Sequence, residues 1–205
     1  MKALILVDIQ NDFLPGGALA VPRGDEIISI ANQLQFIFDI VVATQDWHPA
    51  DHGSFAANHP GRKLYEQIDL DGLPQTLWPI HCVQNTRGAE LAPTILRERI
   101  EKVFQKGTDP GIDSYSGFFD NGHRKSTGLG EWLKERGVAE VFGCGLATDY
   151  CVKFTALDAV QFGFKTALIE DASRGVNLRP TDVTEAIAEM KRAGVQVVNS
   201  TELLK

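Results

Sequence analysis

The sequence predicts an α/β fold in which a parallel sheet is covered on both faces. Three observations carry this reading: short apolar runs recur along the 205 residues, amphipathic helical segments fall between most of them, and a glycine follows each of the last two such segments. Strand-like runs occupy residues 3–7, 40–43, 102–104, 138–142, 166–169 and 195–198. Helices are expected over 25–38, 90–99, 129–136, 149–162 and 181–193. With 43% hydrophobic residues the chain can bury one substantial core, and no stretch reads as a linker, so residues 1–205 are expected to form a single domain.

The totals also exclude function classes. A formal charge of -7 opposes nucleic acid, which needs a basic face, and an anionic membrane surface. A small neutral substrate suits this charge better. Three cysteines without C-x-x-C spacing form no disulfide framework and fit a reducing compartment. Asp8 stops the first apolar run before it reaches the length of a signal-peptide core or a membrane span, so the cytoplasm is the expected location. Helix faces that pack on a sheet and faces that pack on a second copy look alike in one sequence, which leaves a homo-oligomer open.

Open parallel sheets bind ligands at the carboxyl ends of their strands, so the residues that follow each apolar run are the ones to inspect. The first run ends in Asp8, within Val7-Asp8-Ile9-Gln10-Asn11-Asp12-Phe13. An aspartyl nucleophile of the phosphatase kind expects a second aspartate two residues on, where this chain has Gln10. The second run leads into Gln45-Asp46-Trp47-His48-Pro49, where Asp46 and His48, two apart on an extended segment, point the same way. His81, in Trp78-Pro79-Ile80-His81-Cys82, supplies a third donor. One aspartate and two histidines suit a catalytic divalent metal, and a set of hydrogen-bonded loop histidines is the alternative. The third run delivers Lys106 to the same edge.

The fourth run enters Gly143-Cys144-Gly145-Leu146-Ala147-Thr148-Asp149-Tyr150-Cys151. With Thr148 as N-cap, Cys151 falls in the first helical turn, where free N–H groups and the helix dipole favour a thiolate. Cys82 and Cys144 read as packing residues. Lys106 would lower the Cys151 thiol pKa and Asp8 would take its proton. Gly143-Cys144-Gly145 also imitates half of a dinucleotide fingerprint, but Thr148 replaces its third glycine and the motif falls late in the chain.

Together, Val7–Phe13, Gln45–Pro49, Trp78-Pro79-Ile80-His81-Cys82-Val83, Lys106-Gly107 with Tyr115-Ser116-Gly117-Phe118, and Gly145-Leu146-Ala147-Thr148-Asp149-Tyr150-Cys151-Val152 resemble the motifs of the bacterial nicotinamidases, within the isochorismatase-like hydrolases. The matching segments run in order through nearly the whole chain. The resemblance implies a three-layer α/β/α fold with a six-stranded, mainly parallel sheet. It also implies deamidation of nicotinamide to nicotinate and ammonia in NAD salvage, with pyrazinamide as a surrogate substrate giving pyrazinoate. Carried over by position, Cys151 resembles the nucleophile, Asp8 the general base and Lys106 the cation that holds both. Asp46, His48 and His81 resemble the ligands of one divalent metal, zinc or iron in the first place and manganese as a further choice, which keeps waters and meets the pyridine nitrogen. His52 is left outside that ligand set. Phe13, Trp78 and Tyr115 resemble the walls around the ring. A cis peptide between Leu146 and Ala147 is expected to turn the Ala147 N–H toward that of Cys151 as an oxyanion hole. A relative acting on a vinyl ether or a carbamoyl amide is the competing enzyme class, and many such relatives lack the metal ligands.

Overall fold

An apolar strand must bury both of its faces, and the first run does so by taking the centre of the sheet. Along the chain of residues 1–205, described by a computed structural model, run β1 (Lys2–Val7), α1 (Ile27–Leu34), β2 (Ile40–Asp46), β3 (Gln67–Leu70), β4 (Leu73–Thr76) and β5 (Lys102–Lys106). They are followed by α2 (Leu129–Glu135), β6 (Glu140–Leu146), α3 (Lys153–Gln161), β7 (Lys165–Arg174), α4 (Asp182–Arg192), β8 (Gln196–Val198) and α5 (Ser200–Leu203). Six strands form one sheet in the order β5-β2-β1-β6-β7-β8, and every pairing in it is parallel.

Alternation along β1 divides the core in two. Leu4 and Leu6 pack on one face with Ile27, Ala31 and Leu34 of α1, while Ala3, Ile5 and Val7 pack on the other with Leu129 and Leu133 of α2, Ala156 and Ala159 of α3, and Met190 of α4. The result is the expected three-layer arrangement. No helix is long and apolar enough to cross a membrane.

Two expectations fail. Residues 90–99 form no helix, although Leu91, Ala92 and Ile95 are buried at the predicted spacing. Their backbone is used elsewhere: the Ala92 N–H donates to Ile9 O at 2.8 Å, Leu91 bridges Gln10, and Asn32 on α1 both donates to Thr94 O and accepts from the Leu96 N–H at 2.8 Å each. Pro93 adds no N–H of its own. The helix predicted over 149–162 begins instead with a π-helical turn, Thr148–Val152, whose N-cap is Ala147 and which no side chain caps, so Thr148 is not the cap. The antiparallel pair β3–β4, outside the main sheet, was not foreseen.

Close approach of β1 and β6 depends on one glycine. Gly145 has φ +130, and a Cβ there would lie 2.1 Å from Val7 O, whereas a Cβ at Gly143 would meet nothing within 4 Å. Gly145→Ala should therefore lower the urea unfolding free energy by ~2 kcal/mol or more, from strain and from a clash in the central pair. Gly143→Ala should be neutral or slightly stabilising. Equal effects from the two substitutions would contradict this account of the strand pair.

Candidate active site

Three strands end beside one another at the carboxyl edge. Asp8 is the first residue past β1 and leaves the sheet with φ +49, a left-handed conformation that aspartate tolerates better than most residues. Asp46 and Lys106 are the last residues of β2 and β5 and are register partners. Cys151 comes in on the π-helical turn that follows β6. The Lys106 Nζ lies 2.6 Å from Asp46 Oδ1, 2.8 Å from Ser114 O, 2.9 Å from Asp8 Oδ2 and 3.5 Å from Cys151 Sγ. Thr44, on β2, accepts the Asp8 N–H at 3.2 Å and donates its hydroxyl to Asp8 Oδ1 at 2.7 Å, which leaves Oδ2 facing the lysine. The carboxylates of Asp8 and Asp46 and the Cys151 sulfur all lie within 4.8 Å of one another.

Burial works against each of these charges, and the neighbours decide the outcome. For Lys106, burial pulls the pKa down, but Asp46 and Asp8 outweigh it and hold the ammonium well above its ordinary value. Burial likewise pushes Asp46 up, and Lys106 with His48 overcomes it, keeping this carboxylate well below the usual range. Asp8 ends up raised: burial is the main cause, Asp46 adds to it, and Lys106 opposes it. The Cys151 thiol is also pushed well up, by burial first and then by the two carboxylates, against the pull of Lys106. This corrects the expectation of a thiolate favoured by a helix start. Lys106 acts in the expected direction, but burial and the two carboxylates oppose the thiolate.

The histidines meet the same edge from the loops. His48 Nδ1 lies 2.9 Å from Gly107 O and His81 Nδ1 lies 2.8 Å from Pro79 O. A carbonyl can only accept, so both rings carry hydrogen on Nδ1 and turn Nε2 inward. Those Nε2 atoms stand 3.6 Å and 3.9 Å from Asp46 Oδ2. Ligands that each reach ~2.0–2.2 Å to one ion stand about 3–4 Å apart, so the trio fits a divalent cation. Burial and the adjacent His48 hold His81 down to about 4, which keeps its ring neutral. Burial lowers His48 too, but Asp46 outweighs it and raises the pKa; a cation at this point would take the place of that proton. His52 packs against His48, 4.3 Å between ring centroids with the rings tilted by 43°, and its Nδ1 accepts the Ser54 N–H at 3.2 Å. It groups with His48 and Asp113 rather than with Asp46 and His81.

Above Cys151 opens a small cavity. Phe13, Trp78, Tyr115 and Ala147 line it, as the sequence suggested, together with Asp46, His48, His81 and Cys151. Asp8 and Lys106 do not line it and are buried from solvent behind it. Trp78 Nε1 donates to the Tyr115 hydroxyl at 3.1 Å, and Tyr150 meets both rings edge-on at centroid distances of 4.8 and 5.5 Å. Leu19, Asp113, Tyr150 and Val176 complete the lining and were missed. Tyr150 had a signal, since it precedes Cys151 on the same turn; Leu19 and Val176 sit in loops whose sequence carries none. The Leu146–Ala147 peptide is cis, as expected.

Comparison with known proteins agrees with this geometry. The isochorismatase domain matches residues 2–202. The nicotinamidase of Escherichia coli (strain K12) is 54% identical over 197 residues, covering 94% of this chain and 92% of that one. The solved nicotinamidase/pyrazinamidase of Acinetobacter baumannii superposes with a TM-score of 0.96 at 49% identity, over 98% of this chain and 97% of the other. A pyrazinamidase of Pyrococcus horikoshii, solved in complex with zinc, gives a TM-score of 0.79 at 40% identity over 97% and 98% of the two chains. With its parallel sheet, its polar strand ends and these matches over nearly its full length, the chain belongs to the isochorismatase-domain family.

Proposed function

We propose that this protein is a metal-dependent cysteine amidohydrolase that converts nicotinamide to nicotinate and ammonia, in the cytoplasm and as one domain, within NAD salvage. Pyrazinamide, converted to pyrazinoate, is its surrogate substrate. The observation that carries this reading is the convergence of Asp8, Lys106 and Cys151 directly beneath an aromatic-walled cavity. The nicotinamidase relative from E. coli and the zinc-bound pyrazinamidase structure support the choice of substrate and of a metal.

A flat pyridine carboxamide enters between Phe13, Trp78 and Tyr115 with its carboxamide carbon over the Cys151 sulfur. The sulfur bonds to that carbon as its proton passes to Asp8, and the carbonyl π electrons move to oxygen. Burial opposes prior ionisation of the thiol, so proton transfer belongs to the attack. The backbone N–H groups of Ala147 and Cys151 hold the resulting oxyanion. Asp8 then gives the proton to the amide nitrogen, the C–N bond breaks, and ammonia leaves a thioester. Water, deprotonated by Asp8, adds to the thioester carbon; collapse breaks the C–S bond, returns the proton to sulfur and releases nicotinate. Lys106 keeps Asp8 and Cys151 in register throughout. Asp46, His48 and His81 would hold one divalent ion, zinc, iron or manganese, which when bound supplies a Lewis acid for the pyridine nitrogen.

Cys151→Ala should lower nicotinamide-dependent ammonia release at least ~10⁴-fold while leaving the circular dichroism unchanged, since a nucleophile has no substitute. Retained turnover would remove Cys151 from the reaction. Prolonged chelation should abolish activity, and added zinc, iron or manganese should restore it; indifference to a stripped metal would refute the ligand assignment. Iodoacetamide should modify Cys151 in the folded protein, protectably by nicotinamide, while Cys82 and Cys144 react only after unfolding, because Cys151 lines the cavity whereas the other two are fully buried away from it. Peptide mapping that finds Cys82 or Cys144 labelled first would overturn this assignment.

A further inference from the structure

The turn that delivers Asp8 opens a gap in the sheet. β1 and β2 pair as far as Leu6 and Ala43. Beyond them Asp8, at φ +49, leads the chain away into the short turn Asn11–Phe13, while β2 continues to Asp46 with only β5 beside it. An extended residue presents its N–H and C=O to the same side, and at Asp46 that side is the one β1 has left.

Gln10 fills it. Its Oε1 accepts the Asp46 N–H at 2.8 Å, and its Nε2 donates to Asp46 O at 2.9 Å. A primary carboxamide carries a donor and an acceptor side by side, so it reproduces what a neighbouring strand would have offered. The second Nε2 hydrogen goes to Ala89 O at 2.8 Å, and the residue is 0% exposed. These bonds are all to backbone, so Gln10 fixes where the Asp46 side chain begins without touching its carboxylate.

We propose that Gln10 is a positioning residue that sets Asp46 between Lys106 and a metal ion shared with His48 and His81. This rests on the metal-dependent reading above. Asp46 has two duties that require its backbone to be fixed: Oδ1 holds Lys106 at 2.6 Å, and Oδ2 faces both histidine Nε2 atoms. Removal of the Gln10 amide strikes Asp46 selectively, because Ala89 O keeps a second donor, Gln45 Nε2, at 2.8 Å.

The test compares metal affinity in the wild type, Gln10→Met and Leu34→Ala. Gln10→Met keeps the length of the side chain and deletes the amide. Leu34→Ala is a destabilising control at the end of α1 that leads back toward the start of β2, at the opposite edge of the sheet. Each protein is stripped and titrated with Co²⁺ against a chromophoric chelator, and the d–d absorption of the bound ion is recorded. The wild type and Leu34→Ala should give the same Kd and the same spectrum. Gln10→Met should raise Kd about 10- to 100-fold, the usual cost of losing a group that orients a ligand, and alter the bands. If Gln10→Met does not fold, Gln10→Asn, whose amide is one methylene too short to reach both Asp46 groups, answers the same question. A Gln10 variant that binds Co²⁺ like Leu34→Ala, with an unchanged spectrum, overturns the positioning role and leaves the metal site standing. A wild type that binds no Co²⁺ overturns the metal reading itself and this inference with it.

Discussion

A lysine shut away from water has to be neutralised where it stands, and the structure depends on how Lys106 is. Two carboxylates and a carbonyl take its Nζ within 2.9 Å, each from a different segment of the chain. Desolvating such ions costs several kcal/mol each, and removing one partner of a buried pair typically costs ~3–5 kcal/mol, so the ends of β1, β2 and β5 are coupled through one ammonium. The coupling is unequal. Asp46 takes the shorter contact and is assisted by His48, so it stays ionised, whereas Asp8 is left raised by burial and by Asp46 itself. Two aspartates around one lysine thus acquire different chemistry from their surroundings: one suits a permanent anchor for cations, the other suits the gain and loss of a proton.

Much of this arrangement was legible because parallel sheets place function at strand ends. Asp8 follows its apolar run directly, Asp46 and Lys106 come three and two residues after theirs, and no knowledge of their contacts was needed to single them out. The fold was legible for the same reason, the alternation of runs and amphipathic segments. What failed was whatever depended on long-range bonding. The apolar spacing at Leu91 and Ile95 suits a helix, yet Asn32 and Ile9, far away in sequence, claim the backbone groups a helix would use. The β3–β4 hairpin was overlooked although it had a local signal: Asp71-Gly72 takes φ of +52 and +83, the pair of positive values that a two-residue hairpin turn demands. Its strands are only four residues each and half polar, so periodicity alone does not reveal them.

The thiol shows a different limit. Placement at a helix start is a sound argument for a thiolate only while the sulfur remains partly hydrated, because a field of N–H groups competes with the cost of desolvation. Cys151 is 6% exposed and sits among two carboxylates as well as an ammonium. Its turn is π-helical rather than a regular first turn, so the geometry on which the dipole argument rests is itself altered. Sequence spacing reports neither burial nor the second carboxylate. In the proposed reaction the raised Asp8 would therefore take the proton in the same step in which the sulfur attacks.

Shape and chemistry in this site also come from different parts of the chain, which explains why one was easier to read than the other. The groups proposed to react belong to the sheet edge, whose register is set by backbone pairing. The cavity walls belong to loops and are held by side chains. Gln75, on β4, donates to the Tyr115 hydroxyl and to Asp113 Oδ2 at 3.1 Å each, so the overlooked hairpin is bound to the aromatic wall. On the opposite side, Asp149 accepts the N–H groups of Val176 and Asn177 at 2.9 and 2.8 Å, tying the Val176 loop to the turn that carries Cys151. Substitutions in the hairpin or the 175–177 loop can thus reshape the slot without moving the lysine cluster, whereas changes at the strand ends strike the groups proposed to react. Substrate choice within such a fold can drift on the loops while the acid, the base and the nucleophile stay where the sheet puts them.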